Sequence, residues 1–199
     1  MSEDKQAQMN RIAEALENFE DSPLFEFRRE KSYSYVLGEG DLNAKIMFIG
    51  EAPGAQEAKS GRPFVGTAGK VLDELLESIG LDRQDVYITN IVKDRPPENR
   101  DPRTEEIELY APLLLEQIEI IQPQVIATLG RFAMDFILAR FDVPEQGEKI
   151  GALHGKVLKG KTPYGEVTVV PLYHPAAAFY NLQLKDTLRS DIQVLKEFI

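Results

Sequence analysis

The residues of this chain best suited to chemistry are an acid, an aromatic ring, an amide and an imidazole, each set in or beside a turn. They are Glu51 in Gly50-Glu51-Ala52-Pro53-Gly54, Phe64 in Pro63-Phe64-Val65-Gly66, Asn90 after Val86-Tyr87-Ile88-Thr89, and His174 in Tyr173-His174-Pro175-Ala176-Ala177. A flat ring in a turn is a platform for a planar base, so Phe64 is expected on a pocket floor rather than in the core. The Asn90 amide offers one acceptor and two donors, which match the N3–H and O4 edge of a pyrimidine. Cytosine presents the reverse pattern, and a site built for one rejects the other by leaving buried polar groups unpaired. His174, aimed by Pro175, suits donation of a hydrogen bond to an oxygen on which negative charge develops. Glu51 and Glu57 are carboxylates suited to stabilising a cationic sugar or positioning water, and the residue types leave open which does so.

These residues need a scaffold that gathers them. Lys45-Ile46-Met47-Phe48-Ile49 and Val167-Thr168-Val169-Val170-Pro171-Leu172 read as buried strands, as do Val86 to Thr89 and Val125 to Leu129. Helices are expected at about residues 2–19, from Gly66 to a stop at Gly80, at about residues 104–121 with Thr104 as N-cap, at 131–140, and at about 182–198. Residues 156–159 and 166–172 are expected to pair across Thr162-Pro163-Tyr164-Gly165, and residues 144–151 to form a polar loop. The prolines of Arg95-Pro96-Pro97-Glu98-Asn99-Arg100-Asp101-Pro102 exclude a helix or central strand there. Alternating strands and helices predict a three-layer α/β/α sandwich around a largely parallel four-stranded sheet, with residues 1–199 as one domain. In such sheets ligands sit beyond the carboxyl ends of the strands, which is where Glu51 and His174 fall.

Composition narrows the functions. With 43% hydrophobic and 28% charged residues the chain has globular character, and its apolar runs are too short for a membrane span. The N-terminus lacks the pattern of a secretory signal, so a cytoplasmic protein is expected. Zero cysteines exclude thiolate metal sites and a cysteine nucleophile, and two histidines, His154 and His174, make a histidine metal site a poor fit. No metal or other cofactor is expected. The net charge of −10 runs against phosphate binding, yet basic residues gather at Lys93, Arg95, Arg100 and Arg103 and at Lys156, Lys159 and Lys161. If both groups share the face of Glu51 and His174, a local positive footprint results. Gly50 to Gly54 alone could cradle a phosphate, but it lacks the Lys-Ser/Thr of a P-loop and the spacing of a dinucleotide fingerprint.

Taken in order, Gly50-Glu51-Ala52-Pro53-Gly54, Gly61-Arg62-Pro63-Phe64-Val65-Gly66-Thr67-Ala68-Gly69, Val86-Tyr87-Ile88-Thr89-Asn90, Lys93-Asp94-Arg95-Pro96-Pro97-Glu98-Asn99-Arg100 and His174-Pro175-Ala176-Ala177 resemble the uracil-DNA glycosylase superfamily, specifically family 4. The resemblance implies excision of uracil from DNA to leave an abasic site. It implies that Phe64 stacks on the flipped base, Asn90 reads its edge, and His174 stabilises the departing anion. Glu51 and Glu57 take catalytic positions, with Gly50, Ala52, Pro53 and Gly54 around the base. Arg95, Arg100, Lys156, Ala177, Phe179 and Tyr180 are expected to meet DNA; near Ala178, Phe179 and Tyr180 the family usually places bulky Leu and Arg residues, and Phe179 or Tyr180 is expected to fill the gap left by the extruded base. Single-stranded or mismatched uracil is expected to be favoured, since its extrusion costs least. A monomer is expected.

The chain departs from the family at four positions. Family 4 proteins carry four cysteines around an iron-sulfur cluster, and Phe19, Ser22, Asp94 and Tyr110 fall in their places. A cluster-free protein is expected, with Phe19 and Tyr110 packing where the metal clip would be. A related branch traps DNA covalently through a histidine on a basic insertion. Residues 90–104 contain neither, so turnover is expected. The competing expectations are a base-binding module of the same fold without catalysis and a scaffold working through the acidic N-terminal helix.

Overall fold

The computed structural model describes residues 4–199. Met1, Ser2 and Glu3, which include the expected start of the first helix, lie outside the described residues. In chain order the elements are α1 (Lys5–Glu17), α2 (Phe25–Glu30), β1 (Glu39–Gly40), β2 (Ile46–Gly50), α3 (Ala55–Ser60), α4 (Thr67–Ser78) and β3 (Tyr87–Asn90). There follow α5 (Thr104–Ile121), β4 (Val125–Leu129), α6 (Arg131–Arg140), α7 (Ile150–Leu153), β5 (Leu158–Thr162), β6 (Gly165–Leu172), α8 (Ala177–Tyr180) and α9 (Leu182–Asp191). No described helix is long and apolar enough to cross a membrane.

The strands form one six-stranded sheet in the order β1-β3-β2-β4-β6-β5. Its four inner strands are parallel, as the sequence leads one to expect, and the two additions are antiparallel edges: β1 beside β3 and β5 beside β6. Strand β1 is only two residues long and carries no apolar pattern, which is why it is illegible in the sequence. The inner strands read as unbroken apolar runs because both sheet faces are covered. Met47 and Ile49 of β2 pack under α1, α5 and α6, in a core with Met9, Ile12, Tyr110, Leu114 and Ile137. Ile46 and Phe48 of the same strand turn the other way, into a core with Leu72, Leu75 and Leu76 of α4 and Leu188 of α9.

Local chemistry sets the ends of the helices. Asp4 caps α1 by accepting from the Gln6 amide at 3.2 Å. Helix α4 starts after Gly66 and runs out before Gly80, whose φ of +80° is left-handed. At α5 the cap is Arg103 rather than Thr104, and Glu106 reaches back to accept the Arg103 amide at 2.8 Å. The expected terminal helix divides into α9 and a tighter 3-10 turn at Ile192–Phe198. Helices α2, α7 and α8 are too short to announce themselves by periodicity, and α7 begins inside the expected 144–151 loop. The Pro-rich loop contains a 3-10 turn, Pro97–Asn99, otherwise matching the expected irregular segment.

Candidate active site

Parallel register brings the chemistry together. Gly50 of β2 stands opposite Asn90 of β3, and Leu129 of β4 opposite Leu172 of β6, two residues before His174. Beyond these strand ends lies a cavity of about 520 Å³ lined by Glu51, Ala52, Pro53, Gly54, Glu57, Phe64, Asn90 and His174. Ala68 of α4, Ala176, Tyr180 of α8 and the Pro-rich loop residues Pro96, Asn99, Arg100 and Asp101 complete its wall. Glycine is required at position 50: a Cβ there would lie 2.4 Å from Asn90 Oδ1 and 2.6 Å from Phe64 Cζ.

Phe64 is 5% exposed and packs into the α4 core, so the ring does reach the core, contrary to the expectation from its turn. The structure gives it both roles, because the same ring also lines the cavity. Its centroid lies 5.8 Å from that of His174 with the planes tilted by 32°. The turn, with Phe64 at φ +49°, is held from two sides. Glu57 Oε1 accepts the Val65 and Gly66 amides at 2.9 and 2.8 Å, and Arg83 donates to the Pro63 and Phe64 carbonyls at 2.6 and 3.1 Å. Gly69 lets α4 pass close by, since a Cβ there would strike the Phe64 carbonyl oxygen at 1.8 Å.

Asn90 is 2% exposed, and its Oδ1 is buried with no hydrogen-bond partner. A buried orphan acceptor costs about 1–3 kcal/mol, which a ligand donor entering the cavity would relieve. His174 Nδ1 accepts from the Ala176 amide at 3.2 Å, which places the ring proton on Nε2. Burial lowers the His174 pKa to about 4, with Glu57 pulling the other way, so the imidazole is a neutral donor at pH 7. Burial pushes Glu51 up to about 7, Asp101 adds to the shift, and Arg131 opposes it. Asp101 and Arg131 are bridged at 2.8 Å, tying the Pro-rich loop to the start of α6. Sequence reasoning did not single out Asp101 or Arg131, because nothing local places a surface loop over a strand end.

The basic footprint is smaller than expected. Lys93 is fully buried. Arg100 pairs with Glu106 through two bonds of 2.8 and 2.5 Å, Arg103 with Glu105 at 3.5 Å, and Lys159 with Glu166 at 3.0 Å. Arg95 bonds Tyr33 Oη and Asn99 Oδ1, both at 2.7 Å. Lys156 is exposed at the mouth end of the β5–β6 hairpin, where the neighbouring Gly155 amide bonds Pro171 O, whereas Lys161 opposite Glu166 is at the far end. Phe179 and Tyr180 are exposed at 48% and 89%, and only Tyr180 lines the cavity. Ala177 opens α8.

Phe19, Ser22, Asp94 and Tyr110 do converge, but they do not fit an iron-sulfur cluster. Tyr110 Oη bonds Ser22 Oγ at 2.8 Å and Asp94 Oδ2, the Phe19 ring meets the Tyr110 ring edge-on at 5.1 Å, and Arg28 pairs with Asp94 at 3.1 Å. No thiolate is present, and the oxygens are spent on each other. Where simple apolar packing was expected, the join is a hydrogen-bonded knot.

The sheet topology and the cavity define a class: an α/β/α protein with a ring- and amide-lined cavity beyond the carboxyl ends of its parallel strands. Residues 37–196 match the family model described as Uracil DNA glycosylase superfamily, and the chain belongs to that family. It is 48% identical to a type-4 uracil-DNA glycosylase of Archaeoglobus fulgidus over 82% of this chain and 81% of that one. It is 43% identical to the type-4 uracil-DNA glycosylase of Saccharolobus solfataricus, over 94% of this chain and 84% of the other. A type-4 uracil-DNA glycosylase of Thermotoga maritima is 43% identical over 82% of each.

Proposed function

We propose that this protein removes uracil from DNA by hydrolysing its N-glycosidic bond, leaving an abasic site. The observation that carries this is the unpartnered, buried Oδ1 of Asn90, a residue that lines one cavity with Phe64 and with His174, whose Nδ1 accepts from Ala176 so that Nε2 carries the ring proton. A flipped uracil stacks on Phe64 while Asn90 Oδ1 accepts its N3–H and Nδ2 donates to O4. The C1′–N1 bond breaks with its electron pair passing to N1 and delocalising onto O2, where the neutral His174 donates its hydrogen bond. Water adds to C1′ as its proton passes to a pocket carboxylate, and the uracil anion takes up a proton as it leaves. Of the two acids, Glu51 is the one to face the cationic sugar and the water, since one Glu57 oxygen already holds the Phe64 turn.

DNA is gripped by few contacts in this reading: Tyr180 fills the gap left by the extruded base, Phe179 and the Ala177 backbone flank it, and Lys156, Arg95 and Arg100 meet phosphates. Residues 1–199 act as one domain and as a monomer, without a cofactor, in the cytoplasm with the DNA they repair. Single-stranded and mismatched uracil are excised fastest because they are cheapest to extrude. The test is incubation with a uracil-containing oligonucleotide followed by alkali, in wild type, Asn90→Ala and His174→Ala. Strand breaks in the wild type and their loss in both variants are expected; tight binding without breaks in the wild type overturns the enzymatic reading.

A further inference from the structure

Lys93 lies three residues beyond the base-reading Asn90 and is completely buried. Its Nζ sits 2.7 Å from Asn90 O, 2.7 Å from Thr89 Oγ1, 2.5 Å from Gln117 Oε1 and 3.5 Å from Leu37 O. The groups behind these atoms are already oriented. Thr89 donates its hydroxyl proton to Leu37 O at 2.8 Å, and the Gln117 NH₂ donates to Leu37 O at 3.0 Å and Tyr87 Oη at 3.2 Å. Three close lone pairs therefore face Nζ, the number an ammonium satisfies and a neutral amine does not. No carboxylate bonds it among the described residues: neighbouring Asp94 is held by Arg28 and Tyr110, and Glu106 by Arg100. Burial works against the ammonium and lowers its pKa well below the usual lysine value. A buried cation without a counterion is costly, and an apolar residue would fill the same space more cheaply.

The use for such a charge is in the cavity. Asn90 accepts from Lys93 through its backbone carbonyl while the residue also lines the cavity, so one hydrogen bond links the ammonium to the backbone that carries the base-reading amide. When the C1′–N1 bond breaks, the base becomes an anion. We propose that Lys93 is a positively charged positioning residue for base excision, which pins the Asn90 end of β3 and stabilises the uracil anion through a field that water cannot screen. Gln117 and Thr89 are its acceptors, holding the ammonium in register with the pocket.

This rests on the excision reading above, and the two are separable. Wild-type protein that binds uracil-containing DNA without excising the base sinks that reading whatever Lys93 does. For Lys93 the variant is Lys93→Met, compared with wild type in melting temperature, affinity for an oligonucleotide bearing a tetrahydrofuran abasic analogue, and single-turnover excision of uracil and of 5-fluorouracil. The expected result is an unchanged or higher melting temperature, unchanged affinity, and uracil excision slowed about tenfold or more. Excision of 5-fluorouracil, which leaves as the more stable anion, slows by a clearly smaller factor. Wild-type rates, or an equal loss on both bases, overturn the proposal. Should Lys93→Met not fold, nitrogen-detected NMR of the Lys93 side chain in the wild-type protein decides instead: an ammonium at pH 7.5 supports it, and a neutral amine overturns it.

Discussion

Glu51 and His174 face one cavity with proton affinities displaced in opposite directions from those of a carboxylate and an imidazole in water. With Glu51 near 7, excision is expected to rise with pH as its carboxylate forms, following a single ionisation between about pH 6 and 8. In Glu51→Gln that step disappears and the rate is low throughout; single-turnover rates across this range check it. Stability runs the other way. Folded Glu51 holds its proton above the pH at which the unfolded chain releases it, so folding weakens between about pH 4.5 and 7 on its account. Glu51→Gln is therefore expected to melt at least as high as wild type at pH 8, by about 1 kcal/mol after allowance for partial solvent screening. His174, with its pKa lowered, has the opposite sign: its contribution to stability is complete above about pH 6.5 and is lost as pH falls toward 4. His174→Ala should slow excision about 10²- to 10³-fold, the usual loss of one oxyanion donor, while leaving affinity for the abasic analogue unchanged.

Elements do the gathering, and here the sequence was only partly legible. The four inner strands, α4, α5 and α6 could be read because their apolar residues repeat at sheet or helix spacing and Gly or Pro mark their ends. The pairing of Gly50 with Asn90 could not, since parallel register is fixed by helices lying between the strands and not by any neighbouring residue. Phe64, Asn90, Glu51 and His174 were identifiable from residue type and setting. Asp101 and Arg131 were not, because their pairing depends on where the Pro-rich loop folds back, and the burial of Lys93 was not, because its acceptors on Leu37 and Gln117 are distant in the chain. That loop is anchored to α1, α2 and α5 by the knot of Ser22, Arg28, Asp94 and Tyr110. Tyr110→Phe keeps the ring packing and removes the hydroxyl, leaving Asp94 and Ser22 short of a partner. A loss of about 1–3 kcal/mol is expected, read as a lower melting temperature in calorimetry, with uracil excision at 25 °C retained.

At the scale of the whole molecule, a net charge of −10, the burial of Lys93 and the internal pairing of Arg103 and Lys159 leave few cations for DNA. The logarithm of the binding constant for uracil-containing duplex should therefore fall with the logarithm of salt concentration at a slope of about −3 or shallower, from roughly three neutralised phosphates. A slope near −6 would mean a basic surface much larger than Lys156, Arg95 and Arg100. The knot that ties the Pro-rich loop to the N-terminal helices is made only of hydroxyls, a guanidinium, a carboxylate and rings. That join contains no thiol to be oxidised or to hold an iron-sulfur cluster, so its grip on the loop should be indifferent to EDTA: the melting temperature and the excision rate are expected to be the same before and after treatment with the chelator.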